Sequence, residues 1–517
     1  MFGNKTKYQD SFSSKILDLI GLDKETAPAL WFLFGCSLLS YLIVIYTEGN
    51  IMAAYTPVFM VGMLALTIYR IDYSLFVLIA MVLLFDQFHI PGFEPLTYRV
   101  DYFRNLKEVS YLPSFELGVV NIIEVHLVLI LFIWFIILSL KKEFQFNRLT
   151  VWGSFSILFL WLIYSFISGL KSGGDFLTGL WEVRALFYFA LFYIIVPQII
   201  QTKEQLQNIV WVFIFCISVK AFQGIYRFVR LGFGFGGRPT LTNHEDPIFI
   251  ITLLVLLLGM TFYKVKNNQK NALLLLIIPL AIGFLVAQRR AAIASLIITL
   301  SATFLILPSK SQFKFFKIAA PIVVALLIYG AAFWNSNSLI ATPVQMVKSG
   351  ITTSKEELSE EDYYSNLYRE YENYNLAYTV TQYPFFGTGF GKKYEKPLDL
   401  ANIDFSLRDY IPHNQILWVV VKTGGLGFFL FWLFFNSFAF QGAYTLMRLQ
   451  DPYLKALCLM ITVAVINQMV VSYFDLQLTY YRNMIYLGCL LGLMPAIWDI
   501  EIKALKKKKL LNSNKNN

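Results

Sequence analysis

Long apolar stretches separated by short polar segments dominate the chain. A helix of about 20 residues crosses the hydrocarbon core of a bilayer, and most of these stretches have such a length. We predict membrane-spanning helices near residues 29–47, 51–69, 74–88, 119–140, 150–169, 184–200, 208–229, 246–264, 271–288, 290–308, 317–334, 414–440, 455–474 and 480–498. Because lipid cannot satisfy backbone polar groups and no stretch alternates as barrel strands do, the pattern predicts an all-α polytopic integral membrane protein. The expected number of transmembrane helices is about 12–14.

Basic residues concentrate in particular connectors, and this distribution predicts the orientation of the helices. The predicted spans put the connectors 141–148, 264–270 and 310–317 and the tail 503–509 on one side. Lysine and arginine are retained on the cytoplasmic side of a membrane. We therefore expect a multi-pass membrane protein with both termini cytoplasmic. The predicted parts are a cytoplasmic N-terminus (1–28), eleven helices within 29–334, a periplasmic loop (335–413), three helices within 414–498 and a basic cytoplasmic tail (499–517).

Two features of the C-terminal half refine this prediction. The stretch 414–440 contains Gly424, Gly425 and Gly427. Cutting it into two spans there would place the lysine-rich tail outside, so we predict one long helix with a bend at those glycines. The external loop is acidic at its start, and its later part predicts an amphipathic helix through Leu367, Tyr371, Tyr374 and Tyr378.

Composition agrees with a membrane protein and narrows the possible partners. Hydrophobic residues make up 57% of the chain and charged residues only 15%, whereas soluble domains carry about 25% charged residues. The net charge is +10, but no soluble part has a basic stripe with interleaved aromatic residues, so nucleic acid is not expected as a partner. The four cysteines lie inside predicted spans without a C-x-x-C pair, which is typical of small core hydrophobes.

The predicted topology brings polar residues together at the external mouth. Helices that run inward are expected to begin near residues 184, 246, 290, 414 and 480. At or just before these starts lie Arg184, Arg238, Asn243, Asp246, Arg289, Arg290, His413, Asn414 and Arg482. Helix N-termini favour anions, and guanidinium groups bind phosphate oxygens in pairs. Lys220 joins them as an ionisable group inside a span, a position that is costly and usually functional. The pattern favours a site for a lipid-linked diphosphate.

Simpler interpretations exist for each of these residues. A single arginine at a helix end can extend to lipid headgroups, His413 can cap the next helix, and Lys220 can reach the external surface. No His-x-x-x-His pair, no external Asp-x-Asp and no nucleotide-binding P-loop occurs in the sequence. We therefore predict neither a metal nor another cofactor.

Several sequence blocks follow one another in a fixed order along the chain. They are GGRPTLTNHEDP (236–247), QRRAA (288–292), NLYREYENYNLAYTVTQYPFFGTGFG (366–391) and IPHNQILWVVVKTGGLGFF (411–429). Together with Arg184 in WEVRALFYFALFY, which matches a further arginine position, these blocks resemble the O-antigen ligase and O-antigen polymerase superfamily of bacterial inner-membrane glycosyltransferases. In QRRAA, Arg290 takes the place of the family's arginine and Arg289 replaces a serine. This departure leaves open which of the two arginines contacts phosphate.

The resemblance implies transfer of a glycan from undecaprenyl diphosphate to an acceptor hydroxyl at the periplasmic face, without a metal or a nucleotide sugar. Partners would be the lipid-linked oligosaccharide donor, a glycan or lipid A-core acceptor, and membrane lipids. It also implies diphosphate contacts from Arg238, Arg290, Arg184 and Arg369, with His413 as the base. A base active near neutral pH and fixed positive charge around the leaving group suit this reaction. Direct displacement would invert the anomeric centre.

Two further hypotheses compete with glycan transfer, within which the motifs do not separate ligase from polymerase. A transporter or flippase for the same lipid carrier would use the arginines for binding only. That class predicts charges near the bilayer midplane, whereas these residues collect at one rim. A structural membrane protein without chemistry would leave the ordered blocks unexplained.

Overall fold

The structure is a computed structural model, and it describes residues 51–513 except 89, 91, 94, 100–101, 107–118, 141–145, 239, 337, 353 and 404, with five isolated positions between 35 and 45. Within these residues the chain is helical, and β-structure is limited to two isolated bridges. Nine of the described helices are long and apolar enough to cross a membrane, and four shorter apolar helical segments accompany them. The predicted all-α polytopic fold is confirmed. The first predicted span, 29–47, lies almost wholly outside the described residues.

The contacts divide the chain into two compact units, residues 1–75 with 101–142 and residues 76–100 with 143–517. The first unit contains α1 (Ile51–Tyr69), the beginning of α2 (Ile71–Leu84) and α3 (Ile122–Ser139). Helix α3 begins with a capping box, in which Asn121 and Glu124 each accept a hydrogen bond from the other's backbone N–H, so two N–H groups at the helix start are satisfied. His126 of α3 is buried inside this unit, where its Nε2 lies 3.1 Å from Ser74 Oγ.

The second unit holds the end of α2 and the remaining helices. These are α4 (Trp152–Lys171), α5 (Phe176–Ile199), α6 (Lys203–Arg230), α7 (Asp246–Phe262), α8 (Asn268–Val286), α9 (Arg290–Ile306), α10 (Ser309–Phe333), α11 (Thr342–Ile351), α12 (Glu360–Gln382), α13 (Gln415–Arg448), α14 (Pro452–Phe474) and α15 (Tyr481–Ser513). Helices α11 and α12 belong to the predicted external loop. The others correspond to predicted spans, because each such span is a run of apolar residues that lipid can solvate.

The connectors of the second unit gather alternately at two ends. At one end, Asp175 N donates to Gly391 O (2.9 Å) and Leu241 N donates to Val286 O (3.3 Å). At the opposite end, Lys203 pairs with Asp451, and Gln269 Nε2 donates to Gln207 O (2.7 Å). Consecutive long helices therefore run antiparallel. We call the first end, which holds the loop with α11 and α12, the site end.

Helix α5 begins earlier than the sequence predicted. The expected start was near residue 184, but the helix starts at Phe176, with the Asp175 side chain accepting from Thr178 N. The polar residue that obscured this start is Glu182, which is fully buried and lies 2.7 Å from Lys422 Nζ. A paired carboxylate can sit inside a helical bundle, whereas hydropathy alone ends the span before it. Arg184 therefore lies within α5 and not at its first turn.

Helix α13 runs between the two ends as one element, but it consists of two helical parts that meet at a kink at Gly424, within the predicted group of glycines. Gly424 has φ +69°, a conformation that interrupts the helical hydrogen bonds and that glycine tolerates best. Residues 384–391 of the external loop, which we call the inserted segment, take over the freed groups. Thr388 N and Gly389 N donate to the carbonyl oxygens of Val421 and Lys422, while Gly425 N donates to Pro384 O. The bend is thus satisfied by backbone bonds from another part of the chain.

The helices around the kink in α13 are closely packed. Helix α15 packs closely on α5, where a Cβ added at Gly488 would lie 2.5 Å from Phe189 O. Small residues allow helices in membranes to approach closely enough for extensive van der Waals contact. The buried rings of Phe189, Tyr193 and Phe434 lie 5.8–6.1 Å apart between centroids and fill the space between α5 and α13. The helices α5, α13 and α15, which lead to the site end, are therefore tightly packed against one another.

Candidate active site

A cavity of about 760 Å³ lies at the site end of the second unit. It is bounded by the first turns of α9, by α11, by one face of α12 and by the residues just before α13. Its polar lining consists of Arg290, Thr352, Asn366, Arg369, Glu370, Glu372, Asn373, His413 and Asn414, and its apolar lining includes Ile293, Ala294, Ile297, Met346, Val347, Ile351, Tyr473 and Phe474. Polar residues thus line one part of the cavity, and apolar residues line another part.

Helix α12 supplies much of the polar wall. Its start is fixed by Ser359, whose side chain accepts from Asp362 N, and by acidic residues in the first turn that suit the helix dipole. Arg369 and Glu370 each lie three or four residues from both Asn366 and Asn373, and all four line the cavity, because such positions share one helix face.

The sequence analysis predicted the wrong face of this helix to be buried. The side chains of Tyr371, Tyr374 and Tyr378 are 39–55% exposed, whereas the buried positions are Glu372, Asn375, Leu376 and Thr379. Polar residues can occupy that face because they bond to the neighbouring loop; Asn375, for example, donates to Leu398 O at 2.8 Å.

His413 is held against Glu372. The backbone N–H of His413 donates to Glu372 Oε2 at 2.9 Å, and the ring Nδ1 lies 3.2 Å from the same oxygen. Glu372 is almost completely buried, with a side-chain exposure of 2%, whereas the His413 side chain is 25% exposed. Since a carboxylate only accepts, Nδ1 carries the proton of the neutral ring and Nε2 keeps its lone pair. This geometry is that of an oriented base.

Arg290 reaches the cavity from the first residue of α9. Its NH1 donates to Ser349 O at 3.1 Å and to Asn366 Oδ1 at 2.9 Å, and it lies 3.7 Å from Asp362 Oδ1. These contacts tie α9 to α11 and α12. The guanidinium is therefore fixed in direction while part of it still faces the cavity.

Two more guanidinium groups stand near Arg290. Arg369 lines the cavity and forms no hydrogen bond or ion pair with any residue that the structure describes. The Nε of Arg289 is buried and has no hydrogen-bond partner among those residues. Burial lowers the pKa of Arg289, and the nearby carboxylate of Asp475 opposes that shift. Three cations with spare donors around one cavity can bind an anion with several oxygen atoms.

Lys220, Asn243 and Asp246 lie in a separate buried network of the second unit. Lys220 pairs with Asp86, and the side-chain amide of Asn243 donates to the same carboxylate. Asp246 Oδ1 accepts from Arg482 NH2 at 2.9 Å. Buried charges of this kind persist because they are paired and hydrogen-bonded. None of these residues lines the cavity.

Arg184 and Arg238 are also outside the cavity lining. Arg184 is buried in α5, with its guanidinium 5.9 Å from the ring centroid of Tyr481. Arg238 lies over the ring of Phe93 at 5.0 Å. Of the predicted site residues, the structure therefore brings Arg290, Arg369, His413 and Asn414 together at one cavity, with Arg289 directly beside it.

Glu372 and the pair of His244 and Asp475 are functional candidates that the sequence analysis missed. Glu372 and His413 are 41 positions apart in the chain, and His244 and Asp475 are 231 positions apart. The only available signal for Glu372 was its place three residues after Arg369 on a predicted helix. No group of three or more His, Cys, Asp or Glu side chains capable of holding a metal was found in the described part of the chain.

The arrangement can take a proton and stabilise an anion in one place. An oriented imidazole removes a proton from a hydroxyl group, and guanidinium groups around the same cavity stabilise negative charge that develops on a leaving group. The apolar wall can accept a hydrocarbon chain. These properties suit a transfer reaction with a lipid-linked anionic donor.

Comparison with known proteins identifies one family. No curated protein matches the chain. Residues 272–432 match the family model described as O-antigen ligase. This segment runs from within α8 to within α13 and contains Arg290, Arg369, Glu372 and His413. The polytopic membrane chain thus carries an O-antigen ligase domain, which confirms the resemblance to the O-antigen ligase and polymerase superfamily predicted from its motifs.

Proposed function

We propose that this protein transfers a glycan from an undecaprenyl-diphosphate carrier to an acceptor hydroxyl at the periplasmic face of the bacterial inner membrane. The observation that supports this most strongly is that the His413–Glu372 pair, Arg290 and Arg369 line one cavity, inside the segment that matches the O-antigen ligase family. The reaction needs a base and an anion clamp, and these residues have the chemistry for both roles.

The arginines bind the diphosphate of the donor. Arg369 contributes a guanidinium that has no hydrogen-bond or ion-pair partner among the described residues, and Ser349 and Asn366 fix the direction of Arg290. Fixed positive charge lowers the barrier because negative charge grows on the diphosphate as the glycosidic carbon–oxygen bond breaks. The lipid tail lies along the apolar wall formed by residues such as Ile293, Ile297 and Phe474.

His413 acts as the base. With Nδ1 directed at Glu372, its Nε2 accepts the proton of the acceptor hydroxyl as that oxygen attacks the anomeric carbon. Glu372 stabilises the imidazolium that forms, in the same way that a carboxylate supports histidine in other acid–base pairs. A single displacement inverts the anomeric configuration, and the step uses neither a metal nor a nucleotide sugar.

Reconstitution tests the base assignment. We expect His413→Gln to be expressed and inserted normally but to lose at least about a hundredfold in transfer rate, because general base catalysis contributes roughly 10²–10⁴. The assay combines lipid-linked oligosaccharide with candidate acceptors and resolves product length. One added unit identifies a ligase, and a ladder identifies a polymerase. Wild-type rates from His413→Gln would reject the assignment.

The clamp is tested by Arg290→Lys. The charge is kept but the planar fork is lost, and hydrogen bonds to charged groups contribute about 1.5–3 kcal/mol each, so we expect a loss of about tenfold to a hundredfold in kcat/KM for the donor. Arg408→Lys is the matched control. It is the same exchange in the nearby external loop, where Arg408 donates to Ile403 O and does not line the cavity. Equal activity of the two variants would contradict the clamp.

A further inference from the structure

A second histidine–carboxylate pair stands at the site end. His244 Nδ1 lies 3.2 Å from Asp475 Oδ2 and 3.5 Å from Tyr480 Oη. Asp475 is held in turn by Leu476 N (2.9 Å) and by Gln477 Nε2 (3.0 Å). The His244 side chain remains 31% exposed. Because the carboxylate accepts from Nδ1, the ring presents Nε2 away from Asp475.

This pair adjoins the cavity described above. Asp475 directly follows Tyr473 and Phe474, which line the cavity, and Arg289 directly precedes the cavity residue Arg290. His244 interacts electrostatically with both Arg289 and His413. The pair therefore lies next to the same site, and neither His244 nor Asp475 belongs to the segment that matches the family.

The titratable and charged groups around His244 make its protonation sensitive to a bound anion. They come from four connectors: Asp475 and Tyr480 before α15, Arg289 before α9, His413 before α13, and Glu245 next to His244 itself. Burial and the positive charge of Arg289 lower the pKa of His244, while its partner Asp475 has a pKa well below the ordinary range because of His244 and Arg289. An anion bound to Arg289 would cancel the repulsion and favour the imidazolium.

We propose that His244, positioned by Asp475, is a protonatable ligand for the donor diphosphate and supplies the proton that the leaving diphosphate takes up. This inference rests on the proposed glycan transfer. As the bond between the anomeric carbon and the diphosphate oxygen breaks, that oxygen receives the His244 proton. The acceptor hydroxyl forms the new bond and gives its proton to His413. One proton enters and one leaves the substrates, so charge and atoms balance.

Binding linkage provides the test. If His244 gains a proton with the donor, affinity rises as pH falls, by up to about tenfold per pH unit. The probe is undecaprenyl diphospho-N-acetylglucosamine, a diphosphate diester whose own charge is constant between about pH 5.5 and 8.5, because each phosphate keeps only its strongly acidic proton site. Calorimetry on full-length protein in nanodiscs, in two buffers of different ionisation enthalpy, counts the protons taken up.

We expect wild-type protein to take up a proton on binding near pH 8, with affinity increasing from pH 8.5 to 6. His244→Gln should bind with no proton uptake and with little dependence on pH. His413→Gln is the matched control and should keep the wild-type proton uptake. In Asp475→Asn, the pH range over which the affinity for the donor changes should move to lower pH, since an amide stabilises imidazolium less than a carboxylate does. This shift separates a positioning role from simple loss of structure.

The outcomes distinguish the two proposals. If His244→Gln keeps the wild-type proton uptake, the role of His244 is rejected while glycan transfer stands. If wild-type protein binds no diphosphate at any pH, the proposed function itself fails. Size-exclusion profiles of each variant must match wild type, and a misfolded His244→Gln is replaced by His244→Asn, which is held to the same criterion.

Discussion

Two histidines at one site have different surroundings and therefore different expected roles. His413 has one buried carboxylate as its partner, at 3.2 Å, and its ring is packed edge-on against Tyr368. His244 lies beside Asp475 and Tyr480, and the charges of Arg289 and His413 act on it electrostatically. The carboxylate partner of His413 suits the proposed proton acceptor, whereas the positive charge of Arg289 acts on His244, the proposed proton donor. Two side chains of one chemical type can thus be proposed as base and acid for a single displacement.

Glu372 is predicted to position His413 and to stabilise its charged form. In Glu372→Gln the side chain can still accept from Nδ1, but the negative charge is gone, so we expect the transfer rate to fall about tenfold to a hundredfold. The acid limb of the rate profile should also move to lower pH, because a neutral amide stabilises the imidazolium less. Steady-state rates between pH 5 and 9 measure both effects.

Glu370→Gln is the matched control for this prediction. It removes the same charge from the same helix and also lines the cavity, but no contact joins Glu370 to His413. A pH profile of Glu372→Gln that is lower but unshifted would indicate a packing role only. A shift of equal size in Glu370→Gln would show that the pH profile depends on negative charge anywhere near the cavity, and not on the contact between Glu372 and His413.

At the scale of elements, the inserted segment 384–391 links the external loop to the membrane helices. Gly169 of α4 is the closest point of this contact, since a Cβ there would lie 2.1 Å from Phe390 O and 2.6 Å from Phe390 N. On the other side, a Cβ at Gly424 would lie 2.1 Å from Phe385 O. Backbone thus packs directly on backbone at two helices, and this fixes where α12 and His413 stand relative to α9.

Gly169→Ala should therefore destabilise the protein. Overpacking a tight contact costs about 1–3 kcal/mol or more, and the neighbouring atoms here are backbone and cannot rotate away. Gly153→Ala in the same helix is the control, because a Cβ there meets nothing within 4 Å and alanine favours the helix by about 0.5–1 kcal/mol. Thermal unfolding in detergent and the transfer assay should separate the two variants. Equal unfolding midpoints would contradict the proposed contact.

The span positions could be predicted from sequence because lipid imposes one rule on each helix independently. The bend at Gly424 was also predictable, since its glycines lie within one apolar run. The start of α5 was not, because Glu182 is tolerated only through Lys422, 240 positions later in the chain. The inward face of α12 was missed for the same reason: its polar residues bond to a loop whose position the local pattern does not specify.

At the scale of the whole molecule, the alternation of connectors between two ends of the second unit explains why distant residues form one site. Arg290 and His413 were predictable from orientation, which puts the helix starts beside them at one end, whereas Arg369 was predicted only from the family resemblance. Glu372 and Asp475 were not, since pairing requires the fold to choose between many carboxylates. The buried network of Lys220, Asp86 and Asn243 shows the converse, a charged group in a span that the fold satisfies internally.

The site end is predicted to face the periplasm, and cysteine labelling in cells can test this. Lys393 in the loop before His413 and Lys310 at the start of α10 are both exposed and lie at opposite ends of the second unit. Cys216, Cys458 and Cys489 are buried, and Cys36 is replaced by serine to remove its background. A membrane-impermeant maleimide should label Lys393→Cys in cells whose inner membrane is intact.

Lys310→Cys should react only after the inner membrane is permeabilised, because basic connectors are retained on the cytoplasmic side. Ser354→Cys, between α11 and α12, should behave like Lys393→Cys, since both belong to the loop that carries the cavity. Labelling of Lys310→Cys alone in intact cells would invert the orientation, place the cavity in the cytoplasm and contradict the proposed transfer at the periplasmic face. Labelling of both positions would contradict the antiparallel course of α10 and with it the single-ended site. Only the expected labelling pattern places both His413 and Arg290 on the periplasmic face, where the proposed acceptor hydroxyl binds.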